Sequence, residues 1–95
     1  MYGTIAKLRV KHGHIGGLEL VTKGFEMPKG AVAVYTFKMD PDPDDVWMVA
    51  LFENKETYVA NANSPEQHQR YQILMEYLET EPEWHDGEVI VAKTR

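Results

Sequence analysis

The sequence predicts an α+β fold in which two amphipathic helical segments pack on one face of a four-stranded antiparallel sheet. Three features carry this prediction: strand-like and helix-like stretches alternate as β-α-β-β-α-β, the second helical segment is interrupted near residues 63 and 64, and the strands are apolar on both faces. The order is that of the ferredoxin-like split βαβ pattern. Right-handed crossovers place both helical segments on the same face of the sheet.

The first half of the chain supplies two strands and one helix. Residues 2–10 are rich in β-branched and aromatic side chains, which is typical of a strand. From residue 15 to residue 25 apolar side chains recur every three or four positions, which predicts a helix. Pro28 and Gly30 end this segment, and residues 31–39 form the second predicted strand.

The second half begins with a hairpin. Residues 40–45 form a charged turn with two prolines, and the third predicted strand follows at residues 46–52. Such a short connection favours antiparallel pairing of the two strands. Asn54 is suited to cap a short helix over residues 55–62.

A stronger helix start lies at Ser64. Ser64 is a good N-cap, Pro65 suits the first helical position, and Gln67 completes a capping-box pattern. We expect this helix to continue as far as Pro82. Its predicted buried stripe comprises Tyr71, Leu74, Met75 and Leu78.

The end of the chain is predicted to return to the sheet. Asp86 and Gly87 have the composition of a turn, and residues 88–93 are expected to form the last strand.

Both faces of the strands are apolar. In the third strand one face carries Val46, Met48, Ala50 and Phe52, and the opposite face carries Trp47, Val49 and Leu51. Helices cover only one face, so the other leaves an apolar patch large enough to need a partner. We therefore expect a homodimer with sheet packed against sheet.

Composition narrows the classes of function. The chain has 95 residues, enough for one domain over residues 1–95, and it has no cysteine, which excludes disulfides and thiol chemistry. A net charge of −5 with scattered basic residues argues against nucleic-acid binding. No apolar run approaches a membrane span. We expect no signal peptide and a cytoplasmic location.

The sequence contains none of the common catalytic motifs, so any functional interpretation rests on individual residues. The sequence contains no phosphate-binding glycine loop and no GxSxG nucleophile motif. His12 and His14 flank Gly13, and they favour a solvated turn over a metal site because no third ligand is near.

Two further histidines have functional and structural interpretations. His68 falls close to the buried stripe of its helix and could transfer protons in a helix–sheet pocket, although a half-exposed helix position explains it as well. Trp84 could form a pocket wall, and His85 beside Asp86 could act as a base. Neighbouring residues point in different directions, which favours a structural role for Asp86.

Polar and aromatic residues gather where the helices must meet the sheet. Asn61 and Asn63, near the helix break, can donate to a ligand oxygen or cap a helix end. The aromatic residues at this level include Tyr35, Trp47, Tyr58, Tyr71 and Trp84. They indicate core packing first and a pocket for a planar ligand second.

Several segments resemble the antibiotic biosynthesis monooxygenase family. They are Phe52-Glu-Asn-Lys-Glu-Thr-Tyr58, Asn61-Ala-Asn-Ser-Pro-Glu-Gln67, Arg70-Tyr71, Glu81-Pro-Glu-Trp-His-Asp-Gly87, and the end of the opening strand at Val10-Lys11-His12-Gly13. The resemblance covers nearly the whole chain and implies a dimeric α+β barrel. It also implies either metal- and flavin-free oxidation of aromatic compounds or haem degradation.

The resemblance favours the first activity. The haem-degrading branch has an asparagine in the first strand, where this chain offers Lys7 and Arg9, and Asn61 and Tyr71 stand near its tryptophan and histidine positions. We predict a cofactor-independent monooxygenase of a small planar phenol- or quinol-type substrate, with no cofactor and no metal. The alternative is a non-catalytic dimeric ligand-binding or structural module.

The predicted site follows from the same resemblance and from the residue chemistry. His68 and Tyr71 are the predicted catalytic residues. The predicted pocket-lining residues are Tyr58, Asn61, Trp84, His85, Tyr35 and Trp47.

Overall fold

A four-stranded antiparallel sheet forms the frame of the computed structural model, which describes all 95 residues. The elements in chain order are β1 (Tyr2–Arg9), α1 (Ile15–Lys23), β2 (Ala31–Lys38), β3 (Asp45–Phe52), α2 (Lys55–Ala62), α3 (Pro65–Met75) and β4 (Glu83–Glu88). The strands lie in the order β2-β3-β1-β4, and every neighbouring pair is antiparallel. The predicted α+β ferredoxin-like fold and the break between α2 and α3 are confirmed.

The hydrophobic core lies between one sheet face and the helices α1 and α3. The core cluster comprises Ala6, Leu8, Val10, Leu18, Val46, Leu74 and Leu78. Leu18 comes from α1 and Leu74 from α3, and both pack against side chains of β1 and β3. Both crossovers therefore cover the same face, as predicted. None of the helices is long and apolar enough to cross a bilayer.

The helix starts after β3 are fixed by local side chains. At α2, Asn54 accepts a hydrogen bond from the Thr57 amide, and the Thr57 side chain accepts one from the Asn54 amide. At α3, Ser64 Oγ accepts from the Gln67 amide at 3.1 Å. The reciprocal side-chain bond predicted for Gln67 does not form there, because its amide group contacts Asn61 and Arg70 instead.

The helix α3 is shorter than predicted. It ends at Met75, and Leu78 forms a β-bridge with Val10 rather than continuing the helix to Pro82. The Tyr77 carbonyl accepts from the Lys11 amide, and the Glu79 amide donates to the Arg9 carbonyl, each near 2.9 Å. These bonds to the end of β1 take backbone groups that a longer helix would need.

The last strand was predicted too late in the chain. Residues 83–88 form β4, and its Asp86 and Gly87 are extended rather than a turn. The ladder with β1 runs from Lys7↔Glu83 to Tyr2↔Glu88, and β1 begins at Tyr2. Residues 90–93 therefore have no strand opposite them, although their composition favours one, and Ile90 is 90% exposed.

The sheet face away from the helices is apolar and uncovered. Ile5, Tyr35 and Phe37 are 48%, 57% and 53% exposed. The half-buried residues Trp47 and Leu51 lie on the same face, with Trp47 opposite both Lys7 and Phe37 in the ladders. We call this the outer face. The apolar second face expected from the strand pattern is therefore present in the fold.

Candidate functional site

An open cavity of about 1090 Å³ separates the helices from the sheet. Its apolar wall includes Val34, Met48, Ala50, Phe52, Val59 and Leu74. No residue of α2 is buried, so this helix does not fill the space over the sheet. Its size lies just above the roughly 300–1,000 Å³ typical of small-molecule pockets.

One polar corner of the cavity is built around Tyr58. Its hydroxyl donates to Asp86 Oδ1 at 2.7 Å, which joins α2 to β4. Edge-on contacts with Tyr2 and Phe52, at ring-centre distances of 5.3 and 5.4 Å, fix the ring. Burial first, and then the hydrogen bond to Asp86, raise the pKa of Tyr58 to about 12. Tyr58 is therefore a neutral donor over the physiological range.

A second polar group lies one helical turn further along. Asn61 Nδ2 donates to Gln67 Oε1 at 3.2 Å, and Arg70 Nη1 donates to the same oxygen at 3.1 Å. Arg70 lines the cavity and is half-buried, and no ion pair includes it. Its guanidinium group therefore presents a positive charge that a ligand anion can use.

The structure brings together most of the predicted site residues. Those that line the cavity are Tyr58, Asn61, His68, Tyr71 and Trp84. The hydrogen bonds of the polar corner join Tyr58 to Asp86 and link Asn61, Gln67 and Arg70, and none of them includes His68 or Tyr71.

Three predicted pocket residues lie elsewhere. Tyr35, Trp47 and His85 are on the outer face, because strand side chains alternate and their neighbours face the helices. The Lys7 ammonium lies 4.8 Å from the centre of the Trp47 ring. His85 Nε2 contacts Glu83 Oε1 at 2.8 Å, so the dyad of His85 with Asp86 that the sequence suggested does not form.

Sequence reasoning missed Thr4, Arg70 and Asp86 as cavity residues. Thr4 was detectable as the one polar side chain on the face shared with Ala6 and Leu8. Arg70 lies three residues after Gln67, which places both on one side of a helix. No local sequence feature places Asp86 in the cavity, because the direction of its side chain depends on the residue at which β4 begins.

The histidines at the end of β1 stay outside the cavity. His12 lies in the predicted turn with Nδ1 3.1 Å from Asp44 Oδ2, and His14 Nδ1 is 3.0 Å from the His12 carbonyl. Nowhere in the protein do three His, Asp or Glu side chains come together as metal ligands.

The fold and the cavity define a class: small α+β proteins with an open apolar chamber between the helices and an antiparallel sheet. Several solved structures share this fold and superpose on nearly the whole chain. A protein assigned to the antibiotic biosynthesis monooxygenases, from Chloroflexus aurantiacus, matches with a TM-score of 0.80 and 19% identity over 98% of this chain and 96% of its own. A protein from Bordetella bronchiseptica with the same assignment matches with a TM-score of 0.80 and 17% identity over 95% of this chain and 97% of its own.

A third structure has a named activity. SnoaB from Streptomyces nogalater, a cofactor-independent oxygenase solved as a mutant, matches with a TM-score of 0.81 and 13% identity over 96% of this chain and 94% of its own. No family model matches the sequence, and no curated protein matches it. At these identities the likeness shows the fold, and the neighbours are of the type that the sequence resembles.

Proposed function

We propose that the chain is a cofactor-independent monooxygenase that oxidises a small planar aromatic substrate bearing a phenol- or quinol-type hydroxyl. The observation that carries the proposal is the cavity of about 1090 Å³, with apolar walls and polar groups gathered where α2 and α3 meet the sheet. Such a site suits a flat ring whose oxygen atoms need defined partners. The match to a cofactor-independent oxygenase supports the same chemistry.

The first step is removal of the phenolic proton. His68 lines the cavity and is the proposed base, since a histidine is suited to accept protons near neutral pH. Arg70, held by Gln67, stabilises the resulting oxygen anion. Tyr71, which also lines the cavity, donates a hydrogen bond to the same substrate.

The electrons for oxygen come from the substrate anion, so no redox cofactor is required. A ring carbon of the anion forms a C–O bond to dioxygen, the carbon is oxidised, and the dioxygen is reduced to a peroxide. The peroxide takes the proton from His68. The O–O bond then breaks, the ring carbon loses its hydrogen as a proton, and water leaves. One phenol and one dioxygen give one quinone and one water.

Oxygen-18 labelling tests this reaction. With 1-naphthol under ¹⁸O₂, we expect oxygen uptake above the uncatalysed rate and a naphthoquinone with one ¹⁸O atom. His68→Ala should lower kcat by roughly 10²-fold, within the usual range for loss of acid–base catalysis. Tyr71→Phe should lower kcat by a similar factor of about 10², because the substrate anion loses a hydrogen-bond donor. Tyr77→Phe is the matched control, because Tyr77 packs against Gly17 outside the cavity.

Uptake equal to the uncatalysed rate across a panel of hydroxynaphthalenes and hydroquinones would contradict the proposal. Quinone without ¹⁸O, formed together with hydrogen peroxide, would indicate an oxidase instead.

The second candidate function is a non-catalytic dimeric ligand-binding module. The observation that favours it is that no hydrogen bond of the polar corner orients His68 or Tyr71. A purely structural module is less favoured, since its helix–sheet interface would be filled. Tight binding of a ring ligand without turnover would decide for the binding module.

The working unit in this proposal is a homodimer joined through the outer face. A second copy presents the same apolar face, so pairing buries Ile5, Tyr35 and Phe37, which are now about half exposed. Leaving such a patch in water is unfavourable by about 25 cal/mol per Å². The cavity opens on the other side of the sheet, so dimerisation leaves it accessible.

A further inference from the structure

We infer that Thr4, Tyr58 and Asp86 form a subsite that binds an un-ionised hydroxyl group of the ligand. In this subsite Asp86 accepts the hydrogen bond of the ligand hydroxyl, and Thr4 donates to its oxygen. The inference rests on the proposed function for the class of ligand. It adds that the ring carries a second oxygen substituent, separate from the one that Arg70 stabilises.

Thr4 carries a hydroxyl with unused bonding capacity. The residue is 4% exposed, its Oγ1 atom is buried, and that atom has no hydrogen-bond partner of acceptable geometry. Most buried polar atoms in proteins are paired, because leaving one unpaired is unfavourable. Thr4 lines the cavity, so a ligand is in a position to supply the missing partner.

The strand register places Thr4 beside the acceptor. Thr4 lies directly opposite Asp86 in the β1–β4 ladder and opposite Ala50 in the β1–β3 ladder. Directly opposed side chains have Cβ atoms about 4.5–5.5 Å apart, so one ligand oxygen can reach both Thr4 and Asp86.

Tyr58 acts as the positioning residue of the subsite. Its hydroxyl donates to Asp86 Oδ1 at 2.7 Å, and its ring is fixed against Tyr2 and Phe52. The Thr4 hydroxyl lies near enough to the phenol to oppose part of the rise in the Tyr58 pKa. Because a carboxylate accepts several hydrogen bonds, Asp86 can hold Tyr58 and a ligand hydroxyl together.

The charge of the subsite selects the neutral form of the ligand oxygen. Asp86 takes part in no ion pair, so its negative charge is not balanced by a neighbouring cation. A phenolate oxygen would be repelled there, whereas Arg70 on α3 offers a positive charge to an anion. A ring with two oxygen substituents can therefore place its neutral hydroxyl at Asp86 and its reacting oxygen at Arg70.

Calorimetric binding of two matched ligands tests the subsite. The probes are 1,5-dihydroxynaphthalene and 5-methoxy-1-naphthol, in which one hydroxyl has lost its proton donor. We expect the wild-type protein to bind the diol at least tenfold more tightly, and Asp86→Ala to reduce this preference to about twofold. Thr4→Val removes a donor that the oxygen of either ligand can use, so it should weaken the binding of both ligands. Thr36→Val is the matched control: Thr36 lines the same cavity from β2, and this variant should keep the preference.

Thermal unfolding separates this effect from damage to the fold. Thr4→Val removes an unpaired buried hydroxyl and keeps the shape of the side chain, so we expect its melting temperature to rise. Weaker binding of both ligands by a Thr4→Val protein with a higher melting temperature supports the Thr4 donor, and loss of the preference in Asp86→Ala supports the Asp86 acceptor. A tenfold preference that survives in Asp86→Ala overturns the subsite, and so does an unchanged affinity of Thr4→Val for both ligands.

Oxygen uptake, measured beside the binding of the diol, distinguishes failure of the subsite from failure of the proposed reaction. A preference for the diol without oxygen uptake contradicts the monooxygenase and supports the subsite. Oxygen uptake without the preference supports the monooxygenase and overturns the subsite.

Discussion

Both faces of the sheet carry apolar residues, but these residues have different surroundings on the two faces. On the helix face, α1 and α3 enclose a seven-residue core, and beside it a cavity contains polar groups at defined positions such as Thr4 and Asp86. On the outer face, no helix covers the side chains, and Tyr35 and Phe37 are more than half exposed. This difference is the basis of the two proposals, a small-molecule site on the helix face and pairing with a second copy through the outer face.

The largest loss of stability is expected for a substitution in the hydrophobic core between the helices and the sheet. Leu18 is 1% exposed in the core, so Leu18→Ala should lower the free energy of unfolding by about 2–5 kcal/mol. Leu20→Ala on the same helix is the control, because Leu20 is 74% exposed. Urea unfolding measures both variants. If Leu18→Ala lost no more unfolding free energy than Leu20→Ala, the core around Leu18 would not be packed as described.

A glycine on the outer face gives the next effect. A Cβ atom at Gly3 would collide with the backbone carbonyl of Ala50, whereas a Cβ at its ladder partner Gly87 meets nothing within 4 Å. Gly3→Ala should therefore destabilise the protein by roughly 3 kcal/mol, the upper end of the usual range for overpacking, because backbone atoms cannot rotate away. Gly87→Ala should unfold at nearly the wild-type urea concentration, and equal losses in both variants would contradict the register.

The proposed use of the outer face is tested by a charge. Phe37→Asp places a carboxylate on the expected dimer interface, and we expect the dimer to weaken by about 2 kcal/mol or more, roughly 30-fold in dissociation constant. Leu20→Asp is the control, since it adds the same charge to an exposed apolar position on α1. Sedimentation at micromolar concentration measures both. A wild-type protein that sediments as a monomer would refute the dimer.

Local sequence signals predicted the elements whose ends are set locally. The apolar periods located α1 and the first three strands, and Ser64 with Pro65 marked the start of α3. The end of α3 and the position of β4 depend on distant partners instead. Leu78 leaves the helical path to pair with Val10, and the polar segment at residues 83–88 is a strand because β1 offers it a ladder.

The same distinction explains which site residues could be predicted. Tyr58, Asn61, His68 and Tyr71 are on helices whose faces follow from their spacing, and all four line the cavity. His85 was expected in the cavity and Asp86 in a turn, but Asp86 lines the cavity and His85 lies on the outer face. The direction of each strand side chain follows from a register that sequence alone does not specify.

The smallest expected effect concerns the hydrogen bond between Tyr58 and Asp86 on the helix face. Burial and this bond raise the pKa of Tyr58 from its ordinary 10.0 to about 12, so the folded protein keeps a proton that the unfolded chain releases between these pH values. The resulting contribution to stability is complete below pH 10 and is lost as the pH rises towards 12. Because Tyr58 is partly exposed, we expect this loss to be about 1 kcal/mol at most.

Denaturant unfolding at pH 9.5 and 11.5 should therefore show a smaller loss of unfolding free energy for Tyr58→Phe than for the wild type, with Tyr77→Phe following the wild type. Parallel losses in all three proteins would contradict the bond and leave the polar corner of the cavity without its fixed donor.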